Sequence, residues 1–483
     1  MNNSKVAENT GISIRSMIQS HMLSGPERVV VVSAAPGSGK STALMNLALD
    51  LLAEPGVQRV AVAAQTNNQA TDLSLKLCKL AEKRNLDPKL VYRFASTRQN
   101  PHPNFLGHWV TSAKDISDVK DCVVIATAAK WGQAVVPTKK GQTPFTADFV
   151  LVDEAYQMPW STFMQVSCLG SKFILIGDEG QIDPVVPVDA TRWDSSSFPP
   201  HWPTPKIVSR SQSVLGERYL KEELQFCWRL PFESISYIQP FYSQKELTVE
   251  PVAGPGGRKV LFDETTLDIE NPVDLALSMM ATGEPVLVTL KDSETGNPIE
   301  DDNELIQTVR KTLKRLFECK GEYFREDGEH GPSSGLLQVS DVAICTTKRA
   351  MNAKIEDAIQ DVIRSLPIPE GNQNTPNYGL KVDTPERLQG LEFKVVLIVH
   401  PLSGVEKPGV FDLDTGRLCV MTSRHEHGLI VFSRNHIFST LETKIPVALQ
   451  APNLEDVAGV GHNLNRVFID MLKTNKRIVQ IST

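Results

Sequence analysis

Lys40 and Ser41 follow Gly37-Ser38-Gly39, a few residues after the run Val29-Val30-Val31-Val32. Four β-branched residues predict a short buried strand, and Ala34 to Ser41 fits the phosphate-loop pattern with Ala34 in the first glycine slot. Gly37 and Gly39 let the backbone curl so that the N–H groups around Ser38 point inward at phosphate oxygens. A helix opening at Lys40-Ser41-Thr42 turns the positive end of its dipole on the same charge. Lys40 would reach the β- and γ-phosphates, and Ser41 would ligate Mg²⁺. The plainer reading is a glycine-rich turn before an amphipathic helix. Strand, loop, Gly-Lys-Ser and helix in this order predict a nucleoside-triphosphate site.

A second acidic element supports that chemistry. Phe149-Val150-Leu151-Val152 reads as a hydrophobic strand ending in Asp153-Glu154. Asp153 suits Mg²⁺ held through water, and Glu154 suits polarising the water that attacks a γ-phosphate. Such a pair also caps helices, but a phosphate loop upstream favours catalysis. The strand from Phe173 to Ile176 follows, and Gln181 just beyond it is placed to sense the γ-phosphate.

The elements that must position these groups read as an alternating α/β series. A helix over 12–23 precedes the first strand. Gln19 on it suits either an adenine edge or a plain exposed helix position. Arg59 to Ala64 is a second buried strand whose exit carries Thr66 and Asn67, suited to sugar-phosphate contacts or to capping a helix. Val123 to Ala129 is a third, with Thr127, Lys130 and Trp131 at its exit; Trp131 suits base stacking or core packing. Residues 94–118 are less regular, and His102 and His108 there lack further ligands for a metal. A Pro- and Ser-rich stretch over 187–206 suggests a domain boundary.

Composition narrows the class. The chain has 483 residues, 41% hydrophobic and 22% charged, enough for two or three domains. A formal net charge of −7 argues against a generally basic nucleic-acid coat protein, not against a local basic channel. Seven cysteines without a Cys-x-x-Cys pair speak against a zinc or iron–sulfur module and suit a reducing cytoplasm. No signal-peptide core or membrane-spanning run is visible.

Asp153-Glu154-Ala155-Tyr156-Gln157 followed by Gly177-Asp178-Glu179-Gly180-Gln181-Ile182-Asp183-Pro184-Val185-Val186 resembles superfamily 1 DNA/RNA helicases, and within them the B-type branch that includes the nonsense-mediated-decay helicases. Further blocks follow in the family's order. Cys227-Trp228-Arg229 resembles the fourth motif, with Cys-Trp where Gln-Tyr is usual. By that resemblance Trp228 stacks on adenine and Arg229 reaches the γ-phosphate. Thr346, after the strand Val342–Cys345, resembles a backbone-contacting Thr. Gln389-Gly390-Leu391-Glu392 resembles the fifth motif, in which Gly390 approaches the nucleotide and Glu392 holds the ribose or orders the site. Thr422-Ser423-Arg424 resembles the sixth, with His425 where Ala is usual and Arg424 in the arginine-finger position.

The resemblance implies an α/β fold of two RecA-like P-loop domains, each a mainly parallel sheet flanked by helices. The expected bounds are 1–205, 206–450 and a helical tail over 451–483 with a Gly-rich turn at Gly459-Val460-Gly461. It implies ATP and Mg²⁺ as cofactors, ATP held in a cleft between the domains, and 5′-to-3′ translocation on single-stranded DNA or RNA. The alternative is a nucleic-acid-binding ATPase switch, working through a protein partner, that does not unwind duplex. A phosphate-loop kinase or assembly ATPase fits less well, because neither explains Gln389 to Glu392.

Overall fold

Four consecutive valines at 29–32 leave no polar face, so the strand they form must be covered on both sides. The computed structural model, which describes residues 3–135, 144–185, 190–193, 195–292, 299–326, 331–367, 375–443 and 456–481, places them accordingly. Val186 and the start of the expected tail, 451–455, lie outside the described residues. Two compact units emerge: Val6–Glu179 with Asp183–Gln225, and Phe226 onward with Gly180–Ile182. The first ends after Gln225, beyond the boundary expected at 205, because a polar strand at 219–224 still pairs with the Val29–Ala34 strand.

Among the described residues the first unit holds eight strands: β1 (Val29–Ala34), β2 (Arg59–Ala64), β3 (Val91–Phe94), β4 (His108–Val110), β5 (Cys122–Thr127), β6 (Phe149–Val152), β7 (Phe173–Gly177) and β8 (Tyr219–Leu224). They run in the order β4-β3-β5-β2-β6-β7-β1-β8, and every pairing is parallel. Parallel neighbours need crossover connections, which the helices supply. Val30 and Val32 pack with α1 (Asn3–Ser24), α2 (Lys40–Leu52) and α3 (Asn67–Lys83) on one face. Val29 and Val31 pack on the other, with Trp131, Phe163 and Val208. Strands β3, β4 and β8 were not apparent from the sequence, being short or polar.

The second unit contains β9 (Phe226–Cys227), β10 (Glu250–Pro251), β11 (Arg258–Leu261), β12 (Val286–Leu290), β13 (Glu322–Arg325), β14 (Ser333–Leu336), β15 (Val342–Cys345), β16 (Lys381–Asp383), β17 (Phe393–Val399), β18 (His425–Arg434) and β19 (Ile478–Ile481). Six form a parallel sheet in the order β16-β15-β17-β18-β12-β19, again buried on both faces. A three-stranded antiparallel sheet, β11-β13-β14, is an accessory to it. Both units are thus RecA-like α/β layers.

The C-terminal region is part of this second core rather than a tail. A helix runs from Val457 to Thr474, and β19 pairs with β12. The expected Gly-rich turn is helix instead. Gly459 sits beside the capping carboxylate of Asp456, and a Cβ on Gly461 would lie 2.0 Å from the Leu413 carbonyl, so the glycines serve close approach, not a turn. Among the described residues no helix is long and apolar enough to cross a membrane.

Candidate nucleotide site

β1 delivers the phosphate loop at its carboxyl end, where parallel α/β sheets gather ligands. Gly37 (φ 66°) and Gly39 (φ 74°) occupy the left-handed region, which lets the loop turn back on itself before α2 starts at Lys40. Ser38 Oγ is buried with no hydrogen-bond partner among the described residues, and Thr42 is exposed on the first turn of α2. β6 lies two strands away in the sheet and ends at Asp153 and Glu154, both buried.

The two elements meet through side chains. Ser41 Oγ lies 3.3 and 3.4 Å from the two Asp153 carboxylate oxygens, and Lys40 Nζ lies 3.2 Å from Glu154 Oε1. Burial pushes the Asp153 carboxyl well above the usual carboxylate range, and the neighbouring Glu154 charge adds to this; Lys40 and Ser41 pull it back. Among the described residues no cluster of three or more His, Cys, Asp or Glu forms a metal cage. A magnesium ion arriving with ATP nevertheless fits the donors present. A hydroxyl and a buried carboxylate are hard oxygen ligands, and two adjacent buried acids favour a cation.

A hydroxyl network not apparent from the sequence joins neighbouring strand exits. Ser33 Oγ in β1 is 2.9 Å from the Tyr156 hydroxyl, and Glu179 Oε2 is 3.3 Å from both. It ties the exits of β1, β6 and β7 together. Tyr156 was visible only as the variable position of Asp-Glu-Ala-x-Gln.

Other predicted residues are placed less directly. Gln19 donates to Glu54 Oε1 at 2.7 Å, tying α1 to the turn just after α2. Thr66 caps α3 in a reciprocal box with Gln69, and Asn67 accepts from Arg93 at 3.1 Å. Thr127 accepts the Lys130 N–H at 3.3 Å. Trp131 is wholly buried between Phe94 and Phe145, its indole N–H bonded to the Val62 carbonyl at 3.0 Å, so base stacking is replaced by core packing.

In the second unit, Arg229 binds Glu392 Oε1 at 2.6 Å and the Ser423 carbonyl at 3.0 Å, joining three predicted blocks. The half-buried Trp228 precedes it. Arg258, a buried residue with no motif to signal it, donates to the carbonyls of both Trp228 and Arg229. Arg424 is buried, with Nε 3.3 Å from the Val420 carbonyl and Nη2 3.3 Å from Ser423 Oγ. Gly390 adopts φ 83° with open space where a Cβ would stand. Thr346 is buried, its hydroxyl 2.8 Å from Asn352 Oδ1 and accepting the Lys348 N–H at 3.2 Å, so it acts as a local turn stabiliser.

Gln181 departs from expectation. It was assigned with the phosphate-loop domain, yet Gly180–Ile182 groups with the second unit. Close backbone approach explains this: a Cβ on Gly180 would meet the Tyr242 ring at 2.4 Å, and one on Gly416 the Gln181 carbonyl at 2.6 Å. The Gln389 amide completes it, donating to Gln181 Oε1 at 3.0 Å.

Loop, acid pair and parallel sheet give the first unit a phosphate-loop NTPase-like fold. Residues 19–187 match the family model described as AAA domain, a span that includes Lys40, Asp153 and Gln181. The ordered blocks of the whole chain resemble superfamily 1 helicases. Among solved structures, the arterivirus nonstructural protein 10 helicase is 14% identical over 86% of this chain and 62% of that chain, with a TM-score of 0.40. The DUF1998 helicase MrfA bound to DNA is 10% identical over 92% of this chain and 53% of that one, with a TM-score of 0.48. The Pyrococcus furiosus Hef helicase domain is 12% identical over 87% and 95%, with a TM-score of 0.33. This chain therefore spans less than two thirds of the arterivirus and MrfA chains. No curated protein matches it in sequence.

Proposed function

We propose that this chain is an ATP-driven translocase on single-stranded DNA or RNA, moving 5′ to 3′ and working in a reducing cytoplasm. The observation that carries the reading is the pairing of Lys40 with Glu154 and of Ser41 with Asp153 at the carboxyl ends of β1 and β6. In this reading Lys40 leaves Glu154 for the β- and γ-phosphates when ATP arrives. Glu154, released from its counter-charge, then orients the attacking water and takes its proton. Ser41 and Asp153 would hold Mg²⁺, which neutralises phosphate charge when bound. We assign Arg229 and Arg424 to the charge developing on the transferred phosphoryl group, Gln181 to sensing it, Trp228 to the base, and Gly390 and Glu392 to the nucleotide's sugar side.

Steady-state phosphate release measured with and without single-stranded DNA or RNA tests this reading. Stimulation by one of them is expected; no stimulation by either removes the translocase. A fluorescent forked duplex then separates a helicase from an ATPase switch that works through a partner. Stimulation without strand separation would favour the switch.

A further inference from the structure

Glu154 needs support beyond its ion pair. Its backbone is left-handed, at φ 50° and ψ 45°, a region that a non-glycine residue holds only where its surroundings enforce it. In the reading above, the Lys40 ammonium leaves the Glu154 carboxylate when ATP arrives. The restraint that keeps Glu154 aimed during hydrolysis must then come from the turn it opens, Ala155–Gln157.

Backbone bonds close that turn without tying it to the phosphate loop. The Gln157 N–H donates to the Glu154 carbonyl at 2.9 Å, and the Met158 N–H to the Ala155 carbonyl at 3.1 Å. The tie is Tyr156. The strand order β6-β7-β1 puts β7 between the turn and the strand that delivers the loop. Tyr156 crosses β7 at Gly177, where a Cβ would stand 2.9 Å from Tyr156 Cδ2 and from the backbone nitrogens of Ala155 and Tyr156. Only glycine leaves the ring that passage. On the far side the Tyr156 hydroxyl meets Ser33 Oγ at 2.9 Å, and Ser33 is the register partner of Gly177.

Glu179 completes the arrangement. Its Oε2 lies 3.3 Å from both hydroxyls, and its carboxylate accepts from them. Burial pushes the Tyr156 phenol well above the usual tyrosine range, and the Glu179 charge adds to this, so the hydroxyl remains a donor at neutral pH. Tyr156 and Ser33 are both buried, which makes the bond costly to lose. Ser33 immediately precedes Ala34, where the phosphate-loop pattern begins. A shift of the Tyr156 hydroxyl is therefore a shift of the Glu154 turn against the loop.

We infer that Tyr156 is a positioning residue for hydrolysis, its hydroxyl, held by Ser33 and Glu179, tying the turn that aims Glu154 to the strand that carries the phosphate loop. The inference rests on the ATPase reading above and gives a role to the variable position of Asp-Glu-Ala-x-Gln.

Tyr156→Phe keeps the ring over Gly177 and removes only the hydroxyl. Single-turnover phosphate release and a fluorescent-ATP titration on the full chain, with and without Glu154→Gln, test the inference. With Glu154 present, Tyr156→Phe should lower turnover about tenfold or more, because small misplacements of a base are costly, while nucleotide affinity stays within about twofold. Added to Glu154→Gln, the same change should alter turnover by no more than about twofold, because Tyr156 acts through Glu154. Ser33→Ala removes the partner hydroxyl, should lower turnover in the same direction, and serves if Tyr156→Phe does not fold. Turnover of either folded variant within about twofold of the wild type overturns the inference. An equal loss with and without Glu154 also overturns it, since that marks a general structural role. Unimpaired turnover in Glu154→Gln overturns the reading of Glu154 as the base, and the inference with it.

Discussion

Lys40 Nζ lies 3.2 Å from Glu154 Oε1, and Glu154 holds a left-handed backbone at φ 50° to stand there. A non-glycine residue in that region costs on the order of 1 kcal/mol or more, and it persists only when its surroundings enforce it. With Asp153 adjacent, Lys40 is the counter-charge for two buried acids. Lys40→Ala should therefore abolish phosphate release and also lower the melting temperature of the nucleotide-free protein. Unchanged melting would mean the pair is electrostatically idle.

Glu154→Gln keeps the shape of the side chain but cannot take a proton. Turnover should fall by about 10²- to 10⁴-fold, the usual worth of a general base, while nucleotide affinity is retained. Phosphate-release kinetics beside a fluorescent-nucleotide titration separate the two effects.

Arg424→Ala should lower turnover by about 10³-fold or more, as expected for an arginine that stabilises a transferring phosphoryl group. Its burial against Val420 and Ser423 adds a structural cost, so the comparison needs a folded variant, checked by circular dichroism. Intact turnover in such a variant would sink the assignment.

Arg258 carries no motif, yet it supports the carbonyls of Trp228 and Arg229. Arg258→Met fills much of the space but leaves those carbonyls without their donor, at about 1–3 kcal/mol each. Urea unfolding of the second unit should show a loss of about 2–6 kcal/mol.

Burial holds three histidines of the second unit below the ordinary histidine range. His400 sits at about 3, with His436 adding to the effect; His425 at about 3, with the Arg229 charge adding; and His427 at about 2, with Lys394 adding. Unfolded histidine titrates near about 6.5, so below that pH the unfolded chain binds protons that the folded one does not. Their contribution to stability is whole above that pH and is lost as pH falls toward 3, at up to about 1.4 kcal/mol per pH unit for each group. Melting at pH 7.5 and pH 5.5 should differ in that direction; identical midpoints would show these rings are not desolvated.

Much of the site was legible because its signals are local. A phosphate loop needs consecutive residues, and the acid pair is two adjacent positions after a strand, so Lys40, Ser41, Asp153 and Glu154 could be placed without a fold. Buried parallel strands such as β1, β2 and β5 show as unbroken apolar runs. Polar or short strands do not: Tyr219–Leu224 carries Lys221, Glu222 and Glu223 and was found only through its pairing with β1.

The sequence by itself determined the order of the blocks and the chemistry each could carry, since these depend on residue type and short spacing. Tertiary structure alone decided which side chains share an environment. It put Trp131 in a core, made Gly459 and Gly461 helical, grouped Gln181 with Gln389, and set Arg93 and Arg258 under polar groups far away in the chain. Burial and hydrogen bonding act through space between residues remote in sequence, and no local pattern encodes them.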